Sequence, residues 1–162
     1  MAKIPTVGQG APGFSLPGIR LAAGRAERRE YSLSEHRGRP LVLAFYPGDD
    51  TAVCTRQLSC YSAGLDRIAA LGAAVWGISP QDVESHEAFA RKHTLALPLL
   101  ADTALTVADA YGIAVAGKGL RRAVFLLDAH GTVRWRHVAV LGLMYRRVDT
   151  LTEQLRMLQH AR

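Results

Sequence analysis

The 162-residue chain is poor in cysteine, with two, in lysine, with three, and in aromatic residues, at 7%. Two thiols cannot build the disulfide lattice of a small secreted domain. No Cys-x-x-Cys pair or paired-histidine motif is present, which removes the usual structural zinc sites and the thioredoxin-type dithiol motif. No apolar run approaches the roughly 18 residues of a membrane span; Leu41–Tyr46 and Ala123–Leu127 have strand length. Met1-Ala-Lys-Ile-Pro lacks the apolar core of a signal peptide, so the expectation is a cytoplasmic protein with no membrane partner. Repeats and low-complexity linkers are also missing.

What is present is a globular composition, 49% hydrophobic and 21% charged, of a length that suits one domain over residues 1–162. The net charge of +6 rests on arginine, since Lys3, Lys92 and Lys118 are the only lysines. The arginines are scattered, with short pairs at Arg28-Arg29, Arg121-Arg122 and Arg146-Arg147 and no long run interleaved with aromatics. A solvated basic surface is expected, with no nucleic-acid partner.

Along the chain, extended segments flank a turn at Gly24-Arg25, and Ser34–Gly38 reads as a short helical turn. Leu41–Tyr46 is apolar without alternation, as in a strand buried on both faces. Leu58, Tyr61, Leu65 and Ile68 recur at helical spacing towards Gly72. Ala73–Ser79 predicts a second buried strand and Glu84–His93 a helix. Leu97–Leu100 predicts a short strand whose Pro98 favours an edge or a first position. Leu105–Tyr111 predicts a helix closed by Gly112, Ala123–Val138 a hairpin turning at His130-Gly131, and Val148–Leu158 a last helix. This alternation predicts an α/β fold of thioredoxin-like type, a central mixed β-sheet flanked by helices with an N-terminal hairpin extension.

Cys54 falls in the first turn of the helix after the first buried strand. Unpaired backbone N–H groups there favour an anion, and the thiolate is the nucleophilic form of cysteine. Asp49 and Asp50 oppose a thiolate. A cation is therefore required, either Arg56 or an arginine distant in sequence. A buried, inert cysteine remains the alternative.

Pro47, Thr51 and Cys54 spell Pro-x-x-x-Thr-x-x-Cys, which resembles the active-site motif of the peroxiredoxins. Ala11-Pro12, Phe14–Pro17, Ile78–Pro80, Glu84–His86 with Phe89, Pro98–Asp102 and Ala110–Gly112 are similar to the peroxiredoxin Q (bacterioferritin comigratory protein) subfamily. Arg122–Asp128 resembles the segment that carries the family's arginine. The resemblance implies reduction of hydrogen peroxide and organic hydroperoxides by Cys54 as peroxidatic nucleophile. Thr51 would hydrogen-bond to sulfur or peroxide oxygen, Pro47 would shield the thiolate, and Arg122 would stabilise developing charge. It further implies no cofactor and no metal, thioredoxin or a similar dithiol as reductant, and a monomer or homodimer.

The second thiol, Cys60, lies six residues after Cys54, whereas subfamily members that resolve their sulfenic acid on this helix place it five residues on, at Ser59 here. The offset rotates the thiol by about 100° and separates the two Cα atoms by roughly 9 Å along a continuous helix. A disulfide tolerates at most about 7 Å. Cys60 is expected to resolve Cys54 after local unwinding; the rival is a one-cysteine cycle completed by an external thiol. Two other classes compete: a cysteine hydrolase using His36, His86, His93, His130 or His137, and a non-enzymatic basic interaction or chaperone module. No local signature selects a histidine, and His86 and His93 are expected on a solvated helix face.

Overall fold

The computed structural model describes residues 2–140 and 144–160. Its strands are β1 (Ser15–Ala22), β2 (Arg25–Ser32), β3 (Leu41–Phe45), β4 (Ala74–Ser79), β5 (Leu99–Ala101), β6 (Ala114–Val115), β7 (Gly119–Leu120), β8 (Ala123–Leu127) and β9 (Val133–Val138). The helices are α1 (Ala52–Ala63), α2 (Leu65–Ala69), α3 (Val83–His93), α4 (Thr106–Ala110) and α5 (Val148–His160), with a 3-10 turn at Leu33–His36. No helix among the described residues is long and apolar enough to cross a membrane.

Seven strands form one mixed sheet in the order β2-β1-β5-β4-β3-β8-β9. β3, β4 and β5 run parallel, while β1 and β8 pair antiparallel to this centre. Because successive side chains of a strand point to opposite faces, β3 feeds two apolar layers. Val42 and Ala44, followed by Tyr46, pack with Leu58, Tyr61, Phe89 and Leu151 on one side. Leu41, Leu43 and Phe45 pack with Trp76, Phe125 and Tyr111 on the other. Double coverage explains the uninterrupted apolar run read in the sequence.

Two details depart from the sequence pattern and a third decides between alternatives. The helix expected through Ile68 is split at Gly64, where an added Cβ would lie 2.7 Å from both methyl groups of Val148; α5 crosses too closely for any side chain. Of the two places open to Pro98 the structure takes the entry position, immediately before β5, and β5 itself is interior, between β1 and β4. The two-residue strands β6 and β7 form a separate small hairpin, too short to give a period in the sequence.

Candidate active site

The loop Pro47–Asp50 turns the chain from the end of β3 into α1, with Asp50 in the left-handed region at φ 59°. Thr51 is the N-cap in extended conformation, and the first bond of the helix runs from Thr55 N to the Thr51 carbonyl at 2.8 Å. The amides of Ala52, Val53 and Cys54 therefore have no acceptor within the helix. Cys54 stands among them, 1% exposed. The Thr51 hydroxyl donates to the Gly48 carbonyl at 3.3 Å and keeps its lone pairs for an incoming donor. Pro47 is half-buried at the loop's start.

Arg122 reaches this junction through sheet register. β8 runs antiparallel to β3 with Ala123 opposite Phe45, so the residue before β8 lies beside the end of β3. Its guanidinium, 4% exposed in a residue far away in sequence, donates from Nη2 to Cys54 Sγ at 3.2 Å. This contact sets a charged hydrogen-bond donor directly against the sulfur. Arg56, the other candidate cation, is exposed on α1. Arg121 turns aside and donates from Nη2 to the Ala139 carbonyl at 3.2 Å.

The guanidinium is itself held. Arg122 Nη1 donates to Oε1 of the fully buried Gln57. Gln57 Nε2 donates to the Tyr61 hydroxyl at 3.3 Å, which donates to the Arg146 carbonyl at 2.5 Å. Burial raises the Tyr61 phenol well above its ordinary range, so this hydroxyl stays a donor. Sequence reasoning missed Gln57, although its place three residues after Cys54 puts it on the same helix face.

Asp49 and Asp50, expected to oppose the thiolate, each have partners on α3. Asp49 accepts from the Tyr46 and Ser85 hydroxyls at 2.7 Å each and meets His86 Nδ1 at 2.7 Å. Asp50 meets Lys92 Nζ at 2.7 Å and His93 Nε2 at 2.9 Å. These partners pull the Asp50 carboxyl below its usual range. The expectation of a solvated His86 is corrected: it is fully buried, because its ring nitrogens bond Asp49 and the Leu100 carbonyl. Burial, and after it Asp49, raises the Tyr46 phenol well above its ordinary range, and Cys54 is close enough to add to the effect.

Cys60 occupies α1 beyond Cys54, partly buried against the apolar layer, and both cysteines are free. Helix α1 is continuous between them. A groove of about 740 Å³ lined by Leu126, Trp135, Met157 and Leu158 lies elsewhere, and none of these site residues lines it. No group of three or more potential metal ligands occurs among the described residues.

A buried sulfur at a helix start, bonded by a guanidinium, is an arrangement for nucleophilic sulfur chemistry on a small substrate. Comparison with known proteins gives the same direction. The AhpC/TSA family model matches residues 7–136. A Coxiella burnetii relative carrying the bcp peroxiredoxin name is 34% identical over 145 residues, covering 84% of this chain and 91% of that protein. The chloroplastic peroxiredoxin Q of Sedum lineare is 34% identical, covering 82% of this chain and 70% of that protein. Mycobacterium bovis AhpC shares the fold, with TM-score 0.87 at 23% identity over 98% of this chain and 95% of that one. A structure of Xanthomonas campestris peroxiredoxin Q is 30% identical with TM-score 0.73, covering 88% and 90%. The chain belongs to the AhpC/TSA family and has its thioredoxin-like fold, a mixed sheet flanked by helices.

Proposed function

We propose that the chain is a thiol-dependent peroxidase that reduces hydrogen peroxide and organic hydroperoxides at Cys54. The observation that carries the reading is the Arg122 Nη2–Cys54 Sγ hydrogen bond at 3.2 Å in the first turn of α1. Cys54 thiolate attacks one peroxide oxygen: an S–O bond forms, the O–O bond breaks, and the departing oxygen takes a proton as water or alcohol. Sulfur is oxidised to sulfenic acid and the peroxide is reduced. Arg122 stabilises negative charge on sulfur and on the departing oxygen, Thr51 hydrogen-bonds the peroxide, and Pro47 covers the sulfur without adding an N–H.

Cys60 then attacks the Cys54 sulfenic acid, releasing water and forming a disulfide that thioredoxin or a similar dithiol reduces by exchange. The continuous helix places the two Cα atoms about 9 Å apart along its axis, so α1 must unwind first. That same geometry favours the second reading, a one-cysteine cycle in which an external thiol resolves Cys54. We read residues 1–162 as one functional domain, because β3 with α1 supplies Cys54 and β8 brings Arg122. It would act in the cytoplasm as a monomer or homodimer, without a metal or organic cofactor.

Peroxide consumption coupled to thioredoxin, its reductase and NADPH tests the reading. Wild type should be active and Cys54→Ser inactive; equal activity in the two defeats the assignment. Intact mass after one equivalent of peroxide separates the two cycles. A loss of two hydrogens supports Cys60 as resolving thiol, and a stable gain of one oxygen supports the external thiol.

A further inference from the structure

Behind the Pro47–Thr51 loop lies a buried pair that no step of the proposed cycle uses. The side chains of His86 and Asp49 are 0% and 5% exposed and meet at 2.7 Å. His86 Nε2 faces the Leu100 carbonyl at 2.9 Å; a carbonyl only accepts, so Nε2 carries a hydrogen. Two bare acceptors would repel at 2.7 Å, so a further proton lies between Nδ1 and Oδ2. Asp49 also accepts the Tyr46 and Ser85 hydroxyls. Its own backbone N–H donates to Gln81 Oε1 at 2.8 Å, an oxygen that also takes the Ser79 hydroxyl. The loop is thus tied to Tyr46 at the end of β3, to the segment after β4 and to the first turn of α3 at one residue. Asp50 is held at the last turn of α3 by Lys92 and His93, but that clamp is exposed and salt will weaken it.

We propose that Asp49 and His86 are positioning residues for peroxide reduction, a pair that fixes the Pro47–Thr51 loop over Cys54 so that Thr51 and the first amides of α1 receive the peroxide oxygens. The proposal rests on the reading of Cys54 as the attacking sulfur. It differs from the role of Arg122, because the pair touches neither sulfur nor substrate and acts through the loop. Displacing the loop therefore slows attack on peroxide, which needs the loop, far more than attack on iodoacetamide, which needs only the reactive sulfur.

The test measures both second-order rates at neutral pH in wild type, Asp49→Ala, Asp49→Asn and Tyr46→Phe, with circular dichroism to check folding. Asp49→Ala should slow sulfenic acid formation by about 10- to 100-fold, the scale of a misplacement near 1 Å, while alkylation changes less than about threefold. Asp49→Asn, whose amide can donate to Nδ1 and accept from Tyr46, should recover most of the loss. If Asp49→Ala does not fold, Tyr46→Phe carries the test with a smaller selective loss. Equal falls in both rates, no fall in the peroxide rate, or an Asn variant as slow as Ala overturns the proposal while leaving Cys54 in place. A wild type that forms no sulfenic acid overturns the reading of Cys54 and this proposal with it.

Discussion

Gln57 shows what a single neutral side chain contributes to the charge of this site. It gives Arg122 a carbonyl oxygen to bind without cancelling the guanidinium's charge, and it passes the connection on to Tyr61. Arg122→Gln should slow sulfenic acid formation by about 10²- to 10³-fold, the usual loss when one donor to a developing charge is removed. Gln57→Leu should keep the helix and slow the reaction less, by about tenfold, because Arg122 loses one hydrogen bond that orients it but not its charge. Stopped-flow measurement of both variants checks the order; a Gln57→Leu rate below that of Arg122→Gln would contradict it. Pro47, Thr51 and Cys54 were legible as residues because their spacing survives in one short segment. Gln57 and His86 were not, since a polar residue in an amphipathic helix reads as solvated until its partner is known. Their partners, Arg122 and Asp49, are 65 and 37 residues away.

Elements add constraints that belong to no one residue. Gly64 stands between α1 and α2, where an added Cβ would lie 2.7 Å from both Val148 methyl groups. Gly64→Ala should destabilise the protein by about 1–3 kcal/mol through overpacking against α5, read as a lower urea midpoint. The 3-10 turn carries His36, whose ring lies edge-on to Trp76 and whose nitrogens reach no hydrogen-bond partner among the described residues. Burial pushes its pKa below the ordinary histidine value, and the Arg39 charge adds to the shift. The unfolded chain then binds a proton that the folded chain refuses. Stability contributed by the neutral ring is present above about pH 6.5 and falls as pH drops below it towards the lowered folded value. His36→Phe, which keeps the edge-on packing, should flatten Tm between pH 7 and 5; an unchanged slope would contradict this origin.

For the whole molecule, the function depends on topology more than on any stretch of chain. Cys54 comes from the first crossover after β3, and Arg122 comes from the antiparallel strand on the other side of β3. The alternation of apolar strands with amphipathic helices made the fold class readable, and the N-terminal hairpin was readable from its turn. Strand order was not, because hydrophobic runs do not say which neighbours they pair with. The interior position of β5 and the small β6–β7 hairpin went unread for that reason. The whole chain's net charge of +6 includes Arg122, whose guanidinium is buried at the sulfur.

Site-resolved mass spectrometry after one equivalent of hydrogen peroxide, with a sulfenic-acid trap present, tests the central assignment most directly. Oxygen or trap on Cys54, or a Cys54–Cys60 crosslink, is the expected result. Oxidation confined to Cys60 with Cys54 still reduced would contradict it.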